Sequence, residues 1–414
     1  MEAQESSPLD VERLRADFPI LERRVGDDQQ VVYLDNAATT QTPEPVVETI
    51  TDYYRNANAN VHRGIHHLSQ EASVAYEEAH DRLAAFVGAD GREEVVFTKN
   101  TTEAINLVAY AWGLHELGPG DEVVLTEMEH HASLVTWQQI AKRTGATVRY
   151  VGLDDEGRLD MDHARELIGS DTAMVAAVHV SNTLGTVNPI AALADLAHEH
   201  DALVFADGAQ AVPNRPVDVA DLGVDFYAFS GHKMAGPTGI GVLYGRRDLL
   251  ADMEPFLYGG DMIESVTYED STWNELPWKF EAGTPVIAEG VALARAADYL
   301  DDVGLEAIER HEAELARYAH ERLDAIDDVE IYGPPADERA GLVSFTVEGI
   351  HAHDLSSILN DDGVAIRAGD HCTQPLHDRL GVSATARASF YLYNTRDEVD
   401  ALVEGVERAR DIFA

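Results

Sequence analysis

The sequence predicts an α/β protein, with a large domain on a mostly parallel sheet followed by a smaller α+β domain. Three observations carry this. From Val31 to Leu257, short apolar runs alternate with helical stretches, the pattern of strand–helix units in a parallel sheet. One run, Met174-Val-Ala-Ala-Val-His179, lacks polar alternation, as suits a strand covered on both faces. Beyond Pro285 the pattern changes to two long helices and then mixed strands and helices. A chain of 414 residues, 45% of them hydrophobic, is also too long for one ordinary domain.

Taken in order, a short helix is expected from Asp10 to Asp17, then a polar turn around Gly26-Asp27-Asp28. Strands follow at Val95–Phe97, Glu122–Thr126, Met174–His179, Ala202–Ala206, Phe226–Phe229 and Ile240–Tyr244. Between them lie helices such as Ile190–His200 and one starting at Thr101 or Thr102 and running to Trp112, with Glu103 in its first turn. A less regular segment, Leu257–Pro285, holds Gly259-Gly260 and the aromatics Trp273, Trp278 and Phe280. Helices at about 286–303 and 306–326 lead into strands at 342–347, 365–367 and 386–390 and helices at 352–361 and 395–413. The expected division is an N-terminal segment 1–30 packing on the small domain, a large domain 31–295 and a small domain 296–414.

Charge narrows the classes of function. Thirty basic against 75 acidic residues give a net charge of −45, a surface that repels nucleic acid and anionic lipid. Only four lysines occur, Lys99, Lys142, Lys233 and Lys279. Few lysines among abundant carboxylates match a protein from a salt-saturated cytoplasm, where screening removes the self-repulsion. No apolar stretch of about 18 residues predicts a membrane span. The polar, acidic start Met1–Asp10 lacks the features of a secretory signal, so the expected location is cytoplasmic. The single cysteine, Cys372, excludes an internal disulfide and a Cys-based zinc cluster. His62, His66 and His67 are closely spaced and could suggest a metal. No metal is expected, and the three are read as lining a cofactor pocket.

Open α/β sheets bind ligands beyond the carboxyl ends of their strands. Asp207, in Asp207-Gly-Ala-Gln210, and Lys233, in Ser230-Gly-His-Lys233, both stand at such ends, as does the Thr101-Thr102 helix start. Together they suit pyridoxal 5′-phosphate. The helix start supplies N–H groups and a favourable dipole for the phosphate, with Ser230 and His232 adding hydrogen bonds. Asp207 keeps the ring nitrogen protonated, and Lys233 supplies the amine for the aldehyde.

With these residues in view, the chain resembles the class V pyridoxal phosphate enzymes of fold type I (aspartate-aminotransferase-like), and specifically the SufS-like cysteine desulfurases. The resemblance rests on Tyr33-Leu-Asp-Asn-Ala-Ala38, Val61-His-Arg-Gly-Ile-His66, Asn100-Thr-Thr-Glu-Ala-Ile-Asn106 and Met128-Glu-His-His-Ala132. It continues through His179-Val-Ser-Asn182, Asp207-Gly-Ala-Gln-Ala-Val212, Phe229-Ser-Gly-His-Lys233 and Phe280-Glu-Ala-Gly-Thr-Pro285. It implies that Lys233 carries the cofactor, Asp207 pairs with the ring nitrogen and Gln210 bonds the ring hydroxyl. His130 would stack on the ring and take part in proton transfer. Asn182 would orient the ring and the substrate carboxylate. Thr101, Thr102, Ser230 and His232 would hold the phosphate. Thr284 would reach the phosphate of the neighbouring subunit in a homodimer. Arg387 would clamp the substrate carboxylate, with Arg367 beside it.

Cys372 lies in Arg367-Ala-Gly-Asp-His-Cys-Thr-Gln-Pro375, which resembles the short thiol loop of the SufS-like branch. Arg367 and His371 are expected to favour the thiolate. Asp370 opposes it, at a position where the family more often has histidine. The implied reaction converts L-cysteine to L-alanine, leaves a persulfide on Cys372 and supplies iron–sulfur cluster assembly through a carrier protein or scaffold. A selenocysteine lyase, an aminotransferase (which would not need Cys372) and a silent scaffold remain the alternatives.

Overall fold

The computed structural model describes residues 9–26 and 28–413. Most of the polar Met1–Asp10 stretch, and Asp27 of the expected turn, lie outside the described residues. The central sheet has seven strands, in spatial order Val95–Thr98, Gly241–Gly245, Phe226–Ser230, Leu203–Asp207, Thr172–Val178, Glu122–Thr126 and Thr147–Val151. Only Gly241–Gly245 runs against the others. The Phe226–Ser230 strand is buried throughout. Successive residues of the inner strands alternate between two cores: Val124, Val175, Val204, Tyr227 and Val242 join one, and Val123, Met174, Phe205, Phe226 and Leu243 the other. A strand buried on both faces cannot show polar alternation, which is why its sequence reads as continuous apolar residues. The edge strand Thr147–Val151 escapes that reading because it alternates exposed and half-buried residues up to Val151.

The helix expected from Asp10 to Asp17 spans only Val11–Arg15, with the Asp10 carboxylate capping it. The segment packs on the C-terminal part: Arg15 donates to Tyr393 O and Glu398, and the Phe18 ring lies 4.7 Å from that of Tyr393. The helix beginning at Thr101 is regular to Val108 and widens into a π turn over Ala109–Gly113.

One unbroken helix, Ile287–Val303, and a second, Leu305–Asp324, lead to a four-stranded antiparallel sheet. Its spatial order is Val329–Tyr332, Leu342–Val347, Thr385–Ser389, Arg367–Gly369. The register sets Arg387 opposite Arg367. Chain residues Val32–Tyr33 pair with Val364–Ala365, and Asp35 bridges to Ser389. A segment from the start of the chain thus pairs with the backbone of the C-terminal part, and Ala37 and Ala38 just beyond it line the cavity described next.

Candidate active site

Five parallel strands of the central sheet run out beside one cavity of about 320 Å³. Asn100, Thr101 and Thr102 follow Thr98, His130 follows Thr126, and Asn182 follows Val178. Asp207 ends its strand, and Ser230, His232 and Lys233 end the next. Arg367, His371, Cys372 and Arg387 close the cavity from the C-terminal sheet and its loop. The structure thereby gathers every expected site residue except Thr284, which is exposed and does not line the cavity of this chain. His62, His66 and His67 do not line it either. His62 packs 4.4 Å from Trp278 and lies 3.8 Å from Asp261, a carboxylate that sequence spacing could not place. Among the described residues no group of three or more metal-ligating side chains forms.

One end of the cavity is built from a helix start. Asn100 caps it, accepting from Glu103 N at 3.0 Å, while Glu103 accepts from Lys99 N, a reciprocal box that fixes the turn. The helix starts at Thr101, as the sequence suggested, with Asn100 as its cap. The cap lies so close to Gly241 that a Cβ there would stand 2.7 Å from Asn100 Cα. Ser230 Oγ accepts from Thr101 N at 2.9 Å and shares a hydrogen bond with Thr101 Oγ1 at 2.7 Å. His232 Nδ1 contacts Thr39 Oγ1 at 3.2 Å. Burial, reinforced by Lys233, drops the His232 imidazole to about 4, leaving it neutral.

Asp207 is 5% exposed, and its Oδ1 accepts from Ala209 N at 2.9 Å. Burial pushes this carboxyl up, opposed by that N–H and by the Lys233 ammonium. Gly208 is required beside it, since a Cβ there would meet the Tyr227 ring at 2.0 Å. Gln210 donates to Ala37 O at 2.6 Å. Burial pulls Lys233 down to about 8, against the attraction of Asp207 and with help from Arg387. His130 caps the His131–Thr144 helix through Nδ1, which accepts from Ala132 N at 3.0 Å. Burial and the charge of Lys233 lower it to about 4, so the ring is neutral and carries its proton on Nε2. Beside it, sequence reading missed Glu129: 3% exposed, it accepts from Thr126 Oγ1 and Val178 N, and burial raises it to about 8.

The thiol loop is stitched to the central sheet's residues. Asn182 Nδ2 donates to His371 O at 2.8 Å, His131 N to Cys372 O at 2.7 Å, and Gln374 N to His131 Nε2 at 3.0 Å. His371 and Cys372 both have left-handed backbones, φ 50° and 60°, conformations that cost a non-glycine residue on the order of 1–2 kcal/mol each. Cys372 is exposed. The sequence expected His371 to favour the thiolate; instead burial and Arg387 push His371 down to about 2, so it is neutral and adds no charge. Arg367 is paired with Asp35 at 2.7 Å. Asp370, expected only to oppose the thiolate, accepts from Cys372 N at 3.0 Å and so shapes the loop.

These residues fit pyridoxal phosphate. Donors cluster at the helix start, an acid ends the central strand of the sheet, and a lysine of lowered pKa follows the strand beside it. Three buried polar atoms of cavity residues, Asn182 Oδ1, His371 Nδ1 and Arg387 Nε, have no partner among the described residues, and buried polar groups without partners call for a ligand or water. An open α/β sheet presenting such a lysine and carboxylate defines an enzyme of the fold-type-I pyridoxal phosphate class.

Comparison with known proteins agrees. The family model described as Aminotransferase class-V matches residues 32–402. A probable cysteine desulfurase of Halobacterium salinarum is 72% identical over 414 residues, spanning all of both chains. A cysteine desulfurase of Haloferax volcanii is 69% identical over 426 aligned positions, again spanning both. The apo structure of the cysteine desulfurase from Thermococcus onnurineus NA1 has a TM-score of 0.93 at 42% identity, covering 98% of this chain and 99% of that one. The chain belongs to the class-V aminotransferase family, among its cysteine desulfurases.

Proposed function

We propose that the protein is a pyridoxal-phosphate-dependent cysteine desulfurase that converts L-cysteine to L-alanine and holds the removed sulfur as a persulfide on Cys372. The observation that carries this is that Lys233, Cys372 and Arg387 line one cavity, so that an amine, a thiol and a carboxylate-binding guanidinium face the same small substrate. Thr101, Thr102, Ser230 and His232 hold the phosphate, Asp207 the ring nitrogen and Gln210 the ring hydroxyl. When bound, pyridoxal phosphate supplies an electron sink for the substrate's α-carbon.

The chain's own residues do the rest. Arg387, with Arg367 and Asn182, fixes the substrate carboxylate. Lys233, whose burial favours the neutral amine, takes the α-proton and returns it. His130, which lines the same cavity, presents Nε2–H as a donor that would face the cofactor. The Cys372 thiolate attacks the substrate sulfur; the new S–S bond forms as the Cβ–S bond breaks, and a proton completes the methyl group of alanine. The persulfide then passes to a sulfur-carrier protein or scaffold for iron–sulfur assembly. Exposure of Cys372 suits that hand-over. Thr284, exposed and outside its own chain's cavity, suits a homodimer in which it completes the neighbouring site. The strong negative charge suits a salt-rich cytoplasm, and among the described residues no helix is long and apolar enough to cross a membrane.

The test is to add L-cysteine to the holoenzyme, alkylate, and locate one extra sulfur atom on Cys372 by mass spectrometry. Cys372→Ala is expected to keep the cofactor's absorption and lose alanine formation in the presence of reductant. Normal turnover in that variant would overturn the assignment.

A further inference from the structure

Two guanidinium groups converge on one carboxylate behind the cavity wall. The antiparallel register sets Arg367 directly opposite Arg387, and like charges so opposed repel. Burial sharpens the conflict at Arg387, 3% exposed, which it pulls down to about 10. Asp35 answers both. Its Oδ1 accepts from Arg387 Nη2 and from Arg367 Nε, each at 3.3 Å, and its Oδ2 accepts from Arg367 Nη2 at 2.7 Å. Asp35 is held by its backbone bridge to Ser389, two residues beyond Arg387, and by Asn36 Nδ2 donating to Ser389 O at 2.7 Å. Both arginines line the cavity; Asp35 does not. On its other side Arg387 Nη1 donates to Asn182 O at 2.8 Å, and Nε is left without a partner.

We propose that Asp35 is a positioning residue for the substrate's α-carboxylate: it locks Arg387 and Arg367 as a pair and offsets one of their two charges, so that the cavity offers one net cation to one carboxylate. This rests on the reading above that these arginines take the carboxylate. Removing Asp35 frees Arg367 to swing outward and leaves Arg387 fixed on one side only. Binding then weakens, while Lys233 and Cys372 are untouched.

The experiment compares L-cysteine with cysteamine, which keeps the amine and thiol but lacks the carboxylate. Both are titrated against holoenzyme by the change in cofactor absorption, alongside steady-state rates. Asp35→Asn is expected to raise KM and Kd for L-cysteine about tenfold, the scale of one charge-assisted hydrogen bond. The same variant should keep kcat within about threefold and leave the cysteamine titration where it was. Unchanged L-cysteine affinity, or equal weakening for both ligands, overturns the proposal. Arg387→Gln separates the two readings. If it too leaves L-cysteine binding intact, the carboxylate clamp itself is wrong; if it weakens binding while Asp35→Asn does not, only the role of Asp35 is wrong. Should Asp35→Asn fail to fold, Asp35→Glu keeps the charge one methylene further out and must weaken L-cysteine more than cysteamine; equal effects overturn the proposal there as well.

Discussion

The cavity's floor and its thiol loop solve opposite problems. Asp207 and Ser230 end strands in which nearly every residue is buried, on ordinary extended backbone held by neighbouring strands. The loop around Cys372 is exposed at its key residue and holds two consecutive left-handed residues, fixed by hydrogen bonds to Asn182 and His131. The floor needs low dielectric, because a buried acid and a lysine of lowered pKa act strongly only where water is scarce. The loop needs access, because a sulfur must arrive from inside and leave outward. One region is stabilised by burial and the other by tethering.

The most severe way to break this division is at the floor. Lys233→Ala is expected to lower turnover by about 10⁴-fold, as the loss of a proton-transfer and covalent-attachment group does, whereas the thiol loop should keep its structure. Measured by alanine release and by the alkylation rate of Cys372, the outcome should be a dead enzyme with a wild-type thiol rate. Substantial turnover would mean that the floor's chemistry is carried elsewhere.

A milder probe uses pH. Lys233 is drawn down to about 8 by burial, against Asp207 and Cys372 and together with Arg387, whereas an unburied lysine titrates near 10.4. Only the neutral amine adds to an aldehyde. Below pH 8 the neutral fraction falls about tenfold per pH unit; above it, the fraction saturates. The rate at which cofactor-free protein takes up pyridoxal phosphate should therefore rise with pH and level off just above 8. A rate still climbing at pH 10 would show that the floor is wetter than its burial implies.

The two regions also differed in how legible they were. Strand ends followed by Asp207, Lys233 and the Thr101–Thr102 helix start could be read from the chain, because apolar runs and the residues after them are local features. The motifs around them named the family. Tertiary partners could not be read. Asp35 meets Arg387 across 352 residues, and nothing near Asp35 signals two guanidiniums. His371 looked like a positive neighbour for the thiol, but burial beside Arg387 neutralises it, and burial is a property of the fold. The edge strand at Thr147–Val151 was missed because its half-exposed pattern carries little apolar signal.

Asp370 gives the smallest effect and the sharpest distinction. One role open to it is that of a like charge beside an attacking sulfur; the other, as an acceptor for Cys372 N at 3.0 Å, is to shape the left-handed turn that presents the thiol, with Thr373 N bonding its carbonyl at 2.8 Å. The substitutions Asp370→Asn and Asp370→Ala separate the two. Asparagine keeps the acceptor oxygen and removes the charge, and asparagine tolerates such turns well; alanine removes both. If the turn dominates, Asp370→Asn should form persulfide at nearly the wild-type rate and Asp370→Ala a few-fold more slowly, consistent with about 1 kcal/mol for one partly exposed hydrogen bond. If the charge dominates, both variants should react faster than wild type, and equally so. Rapid-quench measurement of persulfide on Cys372 decides between them, with cofactor absorption as the control that the floor has not moved. Tethering predicts the first pattern, since a thiol held on a backbone that disfavours it loses its aim sooner than it gains from a neighbour's missing charge.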